Sequence, residues 1–264
     1  MDFILAIVQA RMGSTRMPGK VLKDLHGKPL LAHIVERLNS CPQIRQTVVA
    51  TSNQSQDQAI VDFCKKAGIP SFQGSENDVL DRFFYVSCKY KPQHIIRVTG
   101  DCPLIDPNLI SKLITKYCNE GLDYCGIATG AGSYLDKGKN TFPDGLDCEI
   151  FRYSVLEEAW TFAQPAWQRE HVTPYIWQND KKFKTGKLPC PFDYGNFRFT
   201  VDYPEDFALV ERVYQDLGSE NKHLDYLAVI EYLQSNLEVR KLNRKHVGQE
   251  GYEKLYEQGN TLPL

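Results

Sequence analysis

The sequence holds no C-x-x-C pair, no apolar run near the ~20 residues that cross a bilayer, and no excess of either charge. Each absence removes a class of function. The eight cysteines, at positions 41, 64, 88, 102, 118, 125, 148 and 190, stand singly, so neither a zinc ribbon nor a dithiol redox pair is indicated. Lys and Arg total 31 against 33 Asp and Glu, a formal net charge of -2. Such a chain has no bulk attraction for nucleic acid or an anionic membrane, and any anion site must be local. There is no internal repeat and no low-complexity linker. Met1-Asp2 leads directly into a short apolar run without a basic leader, so reduced thiols and a cytoplasmic location are expected.

What is present fits a folded enzyme-sized unit. The 264 residues are 42% hydrophobic, enough for one large α/β domain or a domain with an appended subdomain. The stretch from Ala10 to Lys20, A-R-M-G-S-T-R-M-P-G-K, organises the rest. It follows the apolar run Phe3 to Val8, which predicts a buried first strand. Gly13 and Gly19 let backbone approach a ligand, and loop N–H groups can point at phosphate oxygens. Arg11, Arg16 and Lys20 supply positive charge, and Ser14 and Thr15 add hydroxyls. The stretch is not a Walker A loop, because Gly13 and Gly19 stand six positions apart and Val21 replaces the Ser/Thr. A G-x-G-x-x-G frame is also absent. A phosphate loop of another kind remains, beside the plainer reading of a solvated basic loop.

The periodicity then alternates. Helices are expected after Pro29, over 56–67, over 78–90 and from Pro107, with Asp106 as N-cap. Strands are expected at 47–51, 69–72 and 94–99. This rhythm predicts a parallel sheet with helices on both faces and ligands at the strands' carboxyl ends. From Tyr124 the pattern changes: a strand at 124–128, a Gly- and Lys-rich loop at 129–140, and an alternating strand at 146–151. Asp147 and Glu149 share its polar side, facing either a substrate or solvent. Helices are expected over 154–163, capped by Ser154 with Glu157, and over 168–179. Strands at 183–187 and 197–201, a Pro204-started helix, a helix at 224–237 and a polar tail follow.

Asp101 and Asp202 each follow a predicted strand and precede a proline. Two aspartates at strand ends can hold Mg²⁺ against a nucleotide while Arg and Lys neutralise a triphosphate. That is the equipment of phosphoryl or nucleotidyl transfer.

These segments, with G-K-P-L at 27–30, V-A-T at 49–51, G-D-C-P-L-I-D-P at 100–107 and V-D-Y-P-E-D at 201–206, resemble the cytidylyltransferases that make CMP-activated acidic sugars. The segments D-V-L-D-R-F at 78–83, F-P-D-G-L-D at 142–147 and R-E-H-V-T-P-Y at 169–175 resemble the SpsF-like spore-coat polysaccharide branch more closely.

The resemblance implies a Rossmann-like nucleotide-diphospho-sugar transferase fold. Its central sheet would be mostly parallel, with a small inserted subdomain. It also implies Mg²⁺ dependence and a homodimer. A nucleotidyltransferase domain over 1–220, with an acceptor and dimerisation insertion at about 125–195, would precede a helical extension over 221–264. Arg11, Gly13, Ser14, Arg16 and Lys20 would hold the CTP phosphates, and Asp101 and Asp202 the metal. Ala10, Arg11, Ala50, Thr51 and Arg82 would lie near the nucleoside. Lys20, Arg16, Asp101 and Asp202 would carry catalysis. For a small acidic acceptor the candidates are Asp144, Asp147, Glu149, Arg169, His171 and Tyr175. Arg169 would hold its anionic group, and His171 would act as base or as a helix histidine bonded within the protein. One departure matters: Kdo enzymes read Q-G-D-E-P where this chain has T-G-D-C-P at 99–103, so neither base recognition nor a Kdo acceptor carries over. A glycosyltransferase on the same fold and a non-catalytic nucleotide-binding protein are the alternatives.

Overall fold

The computed structural model describes residues 2–129, 140–218 and 224–248. Its centre is a seven-stranded sheet in the order β5-β4-β1-β6-β8-β7-β9. The strands are β1 (Ile4–Gln9), β4 (Gln46–Ser52), β5 (Ser71–Gly74), β6 (His94–Thr99), β7 (Tyr124–Ile127), β8 (Glu149–Arg152) and β9 (Thr185–Leu188), while β2 (Asp24–Leu25) and β3 (Lys28–Pro29) form a separate small ribbon. All neighbouring pairs in the large sheet are parallel except those of β8, which runs against both β6 and β7. The mostly parallel sheet expected from the alternating rhythm is therefore present, and the segment read as an insertion supplies three of its strands.

Helices cover both faces, and strand alternation decides which residues meet them. Ala6, Val8, Val49, Ile96 and Val98 join a core with α1 (Leu30–Asn39), α4 (Pro107–Glu120), α8 (Pro204–Leu217) and α9 (Tyr226–Ser235). Leu5, Ile7, Val48, Ala50 and Ile95 join the opposite core with α3 (Val79–Tyr90) and α5 (Tyr153–Phe162). Two faces buried at once explain the near-continuous apolar runs of β1 and β6. The helix α2 (Gln58–Ala67) lies beside the first core through Ile60 and Cys64.

The Asp106 cap is present. Its side chain accepts from Asn108 N at 2.8 Å and Leu109 N at 3.3 Å, and it also accepts from Tyr226 N at 3.0 Å, tying α9 to the start of α4. Asp78 caps α3 in the same way, accepting from Asp81 N at 2.8 Å.

Four local expectations are corrected. The helix expected over 168–179 is broken into α6 (Ala166–His171) and α7 (Pro174–Gln178). Pro174 lacks the N–H that would continue the ladder and instead opens α7 in its first turn, where no donor is needed. Val172 sits between them at φ 70° and ψ -53°. Thr173 N donates to His171 O at 2.8 Å, so the three residues form a γ-turn, a strained shape for a β-branched centre. The segment 197–201 is not a strand of the sheet; it makes a single bridge between Arg198 and Asp144. Ser154 caps nothing, because α5 starts one residue earlier with Arg152 at the N-cap position. The last helix ends at Ser235, and α10 (Leu237–Lys241) and a short turn at Arg244–His246 follow. Most of the loop expected at 129–140, and the tail beyond 248, lie outside the described residues.

Candidate active site

The parallel pairing of β4, β1 and β6 lines up their carboxyl ends, and the loops after them form the site. Because β8 runs the other way, its first residue, Glu149, reaches the same edge, paired in register with Arg97 of β6. The loop from Ala10 to Lys20 is fastened at several points. Ala10 N donates to Ala50 O at 3.1 Å, and Met12 N donates to the Asp57 carboxylate at 2.6 Å. Gly19 N returns to Met12 O at 2.9 Å, and Ser14 Oγ accepts from Met17 N at 3.2 Å. Asp57, buried and bonded to Ser52 Oγ as well, is therefore the loop's anchor. Nothing in the residue pattern singles it out, since an aspartate just before an apolar helix face looks like an ordinary N-terminal acid.

Lys20, Asp101 and Asp202 are brought together from 182 residues of chain. Lys20 Nζ donates to Asp202 Oδ1 at 2.8 Å, to Val201 O at 2.8 Å and to Asp101 Oδ2 at 3.1 Å. Arg16 Nη2 lies 2.9 Å from the same Asp202 oxygen. Burial works against the Lys20 charge, but Asp101 and Asp202 outweigh it and hold its pKa above the usual range. Val201 N donates to Asp101 O at 2.8 Å, which hooks the two aspartate-bearing segments together. Among the described residues no group of three or more His, Cys, Asp or Glu side chains could hold a metal ion. The donors that do converge are two carboxylates and one carbonyl, all hard oxygens. That fits Mg²⁺, which takes few protein ligands and completes its shell with phosphate oxygens and water.

Arg198 completes this half of the site and is not evident from the sequence motifs. It is 2% exposed and ion-paired to Asp144 at 2.6 Å, Asp202 at 2.9 Å and Asp206 at 3.0 Å. Asn243 donates to Arg198 O at 3.0 Å and to Asp206 at 2.9 Å, so the chain beyond α9 backs the site directly. The available signal is the alternation Phe197, Arg198, Phe199, Thr200, Val201, Asp202, which puts Arg198 in phase with Asp202.

Near the carboxyl end of β4, Arg82 and Thr51 are buried, at 3% and 0% exposure, beside Ala50. Arg82 Nη1 reaches Ala50 O at 3.5 Å, while Arg82 Nε and Thr51 Oγ1 have no hydrogen-bond partner among the described residues. Burial, then Arg11, lowers the Arg82 pKa to about 10. A buried polar atom left unpaired costs about 1–3 kcal/mol, so these two atoms weaken the fold as it stands.

The acceptor candidates divide. Asp144 faces Arg198. Burial and Asp147 push its carboxyl well above the usual range against the pull of that arginine. Asp147 accepts from Thr129 Oγ1 and from Gly145 N at 3.0 Å, and its pKa is raised chiefly by burial. Glu149 turns elsewhere: it is buried and accepts from Arg97, from Tyr124 OH at 2.5 Å and from Thr173 Oγ1 at 2.7 Å. The solvent-facing alternative read for Asp147 and Glu149 does not hold for Glu149, which is buried among these donors. Arg169 pairs with Asp78 and donates to Trp160 O and Ala163 O, both at 3.0 Å, closing the end of α5. His171 is pushed below its ordinary pKa by burial and by Arg97. Tyr175 OH is 3.5 Å from Glu158 on α5. Arg97, whose Nε donates to Gln9 Oε1 at 3.1 Å, stands on the sheet between the loop and Glu149; in the sequence it is one polar residue within a strand.

Comparison with known proteins follows the same lines. The cytidylyltransferase family profile matches residues 5–254. The uncharacterized protein MJ1063 of Methanocaldococcus jannaschii is 36% identical over 96% of this chain and 99% of its own. The spore coat polysaccharide biosynthesis protein SpsF of Bacillus subtilis is 36% identical over 83% of this chain and 89% of its own. A solved cytidylyltransferase from Leptospira borgpetersenii superimposes with a TM-score of 0.82 at 29% identity, covering 91% of this chain and 98% of that one. A cationic loop, a pair of carboxylates joined by its lysine and a match across nearly the whole length agree: the chain belongs to the cytidylyltransferase family and is a CTP-dependent nucleotidyltransferase.

Proposed function

We propose that the protein transfers CMP from CTP to a small acidic acceptor and releases pyrophosphate, as a step in building a surface polysaccharide or glycoconjugate. The observation that carries this reading is the convergence of Asp101, Asp202 and Val201 O on one point beside the loop of Arg11, Arg16 and Lys20. The order of the sheet supports a division of labour. Arg82, Thr51 and Ala50 take the nucleoside at β4, and Ala10 and Gly13 let it lie against the loop. Ser14 shapes that loop, and Arg11, Arg16 and Lys20 take the phosphates at β1.

An oxygen of the acceptor attacks the α-phosphorus in line. The new P–O bond forms as the bond to the bridging α–β oxygen breaks, and that electron pair leaves with pyrophosphate. Arg16 and Lys20 stabilise the charge gathering there, and such stabilisation is the main source of rate in a site of this kind. Asp101 and Asp202 would hold Mg²⁺, which when bound supplies charge neutralisation across neighbouring phosphates. If the attacking oxygen is a hydroxyl, His171 takes its proton, and its lowered pKa keeps it neutral at pH 7. On the acceptor side Arg97 is the better-placed cation, and Arg169 acts as scaffold. Asp144, Asp147, Glu149 and Tyr175 shape the pocket rather than offer bare carboxylates.

We place the reaction in the cytoplasm and in a homodimer. Exposed Tyr85 and Phe162, around the Phe84–Trp160 ring stack at 4.0 Å, supply an apolar surface for a second copy; light scattering on the purified protein decides that point.

Thermal shift with CTP, UTP, ATP and GTP tests the nucleotide. A ligand at a hundred times its dissociation constant adds about 2.7 kcal/mol, and CTP alone is expected to do so. Equal shifts for all four would remove the cytidine assignment. A glycosyltransferase given CTP and acceptor would release no pyrophosphate.

A further inference from the structure

The three oxygens proposed for the divalent cation already have an occupant. Lys20 Nζ sits on Val201 O at 2.8 Å, Asp202 Oδ1 at 2.8 Å and Asp101 Oδ2 at 3.1 Å. An ammonium has three N–H donors and no more. While Lys20 stays there, none is left for a phosphate, and a second cation at the same point would meet its full charge. The phosphate contact assigned to Lys20 and a metal on Asp101 and Asp202 are therefore both incompatible with this side-chain position.

We propose that Lys20 is a resident stand-in for the divalent cation, and that its side chain leaves as nucleotide and metal enter together. The inference rests on the functional reading above. The local structure allows the exchange without backbone movement. The backbone of Lys20 is held by Lys20 N to Met17 O at 3.2 Å and Lys23 N to Lys20 O at 3.1 Å. Its four-carbon stem is the flexible part. Asp202 keeps its orientation throughout, because Arg198 Nη2 holds the other oxygen, Oδ2, at 2.9 Å. Without an occupant, Asp202 would keep Arg16 and Arg198, but Asp101 would lose the ammonium paired with it in a partly buried setting, an expensive change. Once displaced, the Lys20 ammonium has the arriving phosphates as its new partner. Two consequences follow for the nucleotide-free protein: it binds divalent cation poorly, and the cation binds together with the nucleotide rather than before it.

The test is Mn²⁺ binding to the full-length protein, read as free Mn²⁺ by electron paramagnetic resonance, with a non-hydrolysable CTP analogue present or absent. Without nucleotide, Lys20→Met is expected to bind Mn²⁺ at least tenfold more tightly than wild type. Adding Asp101→Asn to Lys20→Met should abolish that gain. Lys20→Gln serves if the Met variant fails to fold. Wild type alone can overturn the proposal: Mn²⁺ bound without nucleotide, lost in Asp101→Asn, shows the site is open with Lys20 in place. That result leaves the functional reading intact. If the analogue binds but no Asp101-dependent Mn²⁺ binds with it, the metal assignment falls and the proposal falls with it.

Discussion

Arg198 Nη2 donates to Asp202 Oδ2 at 2.9 Å, while the other oxygen of the same carboxylate receives Lys20 and Arg16. Asp202 is thus gripped from two sides, one structural, through Arg198, and one through the cations of the Ala10–Lys20 loop. Removing the structural side strands three carboxylates, those of Asp144, Asp202 and Asp206, around an interior arginine position. Breaking a buried network by deleting one partner costs about 3–5 kcal/mol. Arg198→Met should lose that much in urea unfolding. A loss under about 1 kcal/mol would mean that the carboxylates are relieved by solvent.

Arg82 makes the opposite forecast. Its Nε is buried without a hydrogen-bond partner among the described residues, so it weakens the fold. Arg82→Met should leave the melting temperature of the free protein unchanged or higher. It should also weaken CTP binding by about 1.5–3 kcal/mol, the worth of a charged hydrogen bond. Calorimetric titration with CTP measures the second effect. Unaltered CTP affinity would move the base elsewhere.

Gly145 lies where the chain crosses itself. It has φ 97°, and a Cβ there would come 2.2 Å from Thr200 N and 2.5 Å from Phe199 C. Gly145→Ala must push residues 199–200 away from Asp144 and should cost on the order of 3 kcal/mol. Gly68, at φ 69°, is the control, because a Cβ added there would meet nothing within 4 Å. Gly68→Ala meets only the left-handed backbone penalty of about 1–2 kcal/mol. Equal losses in chemical denaturation would contradict the crossing argument.

Thr173 ties the γ-turn at Val172 to the sheet through its bond to Glu149 at 2.7 Å. Thr173→Val keeps the shape and removes the donor. Stability should fall by about 1–3 kcal/mol, with the CTP-induced thermal shift preserved, because the nucleotide side is not touched. A loss of the CTP shift would show that the two halves of the site are coupled.

Much of the fold and site is legible in the residues. Strand alternation places the two cores, Asp106 shows as a cap through Pro107, and Lys20 and Asp101 stand out beside glycines after β1 and β6. Asp202 is found for a partly different reason than the structure supplies. The segment before it makes one bridge instead of a strand, and it is held by Val201 N on Asp101 O. What stays hidden depends on partners far away in the chain. Arg198 between two phenylalanines resembles the wet side of a strand until Asp144, Asp202 and Asp206 surround it. Glu149 looks solvent-facing because its three donors, Arg97, Tyr124 and Thr173, come from separate elements. Arg169 looks like an anion receptor because its partners, Asp78 and two carbonyls ending α5, are set by helix packing and not by sequence spacing.

Pyrophosphate release from CTP, measured beside mass spectrometry of CMP-linked products from a library of acidic acceptors, tests the central claim most directly. The wild type should yield one pyrophosphate for each CMP conjugate formed, with none when the acceptor is omitted. Asp101→Ala should remain folded and fall in rate by on the order of 10²–10³. CTP bound without any conjugate across the library, or an Asp101→Ala enzyme as fast as wild type, would contradict the account.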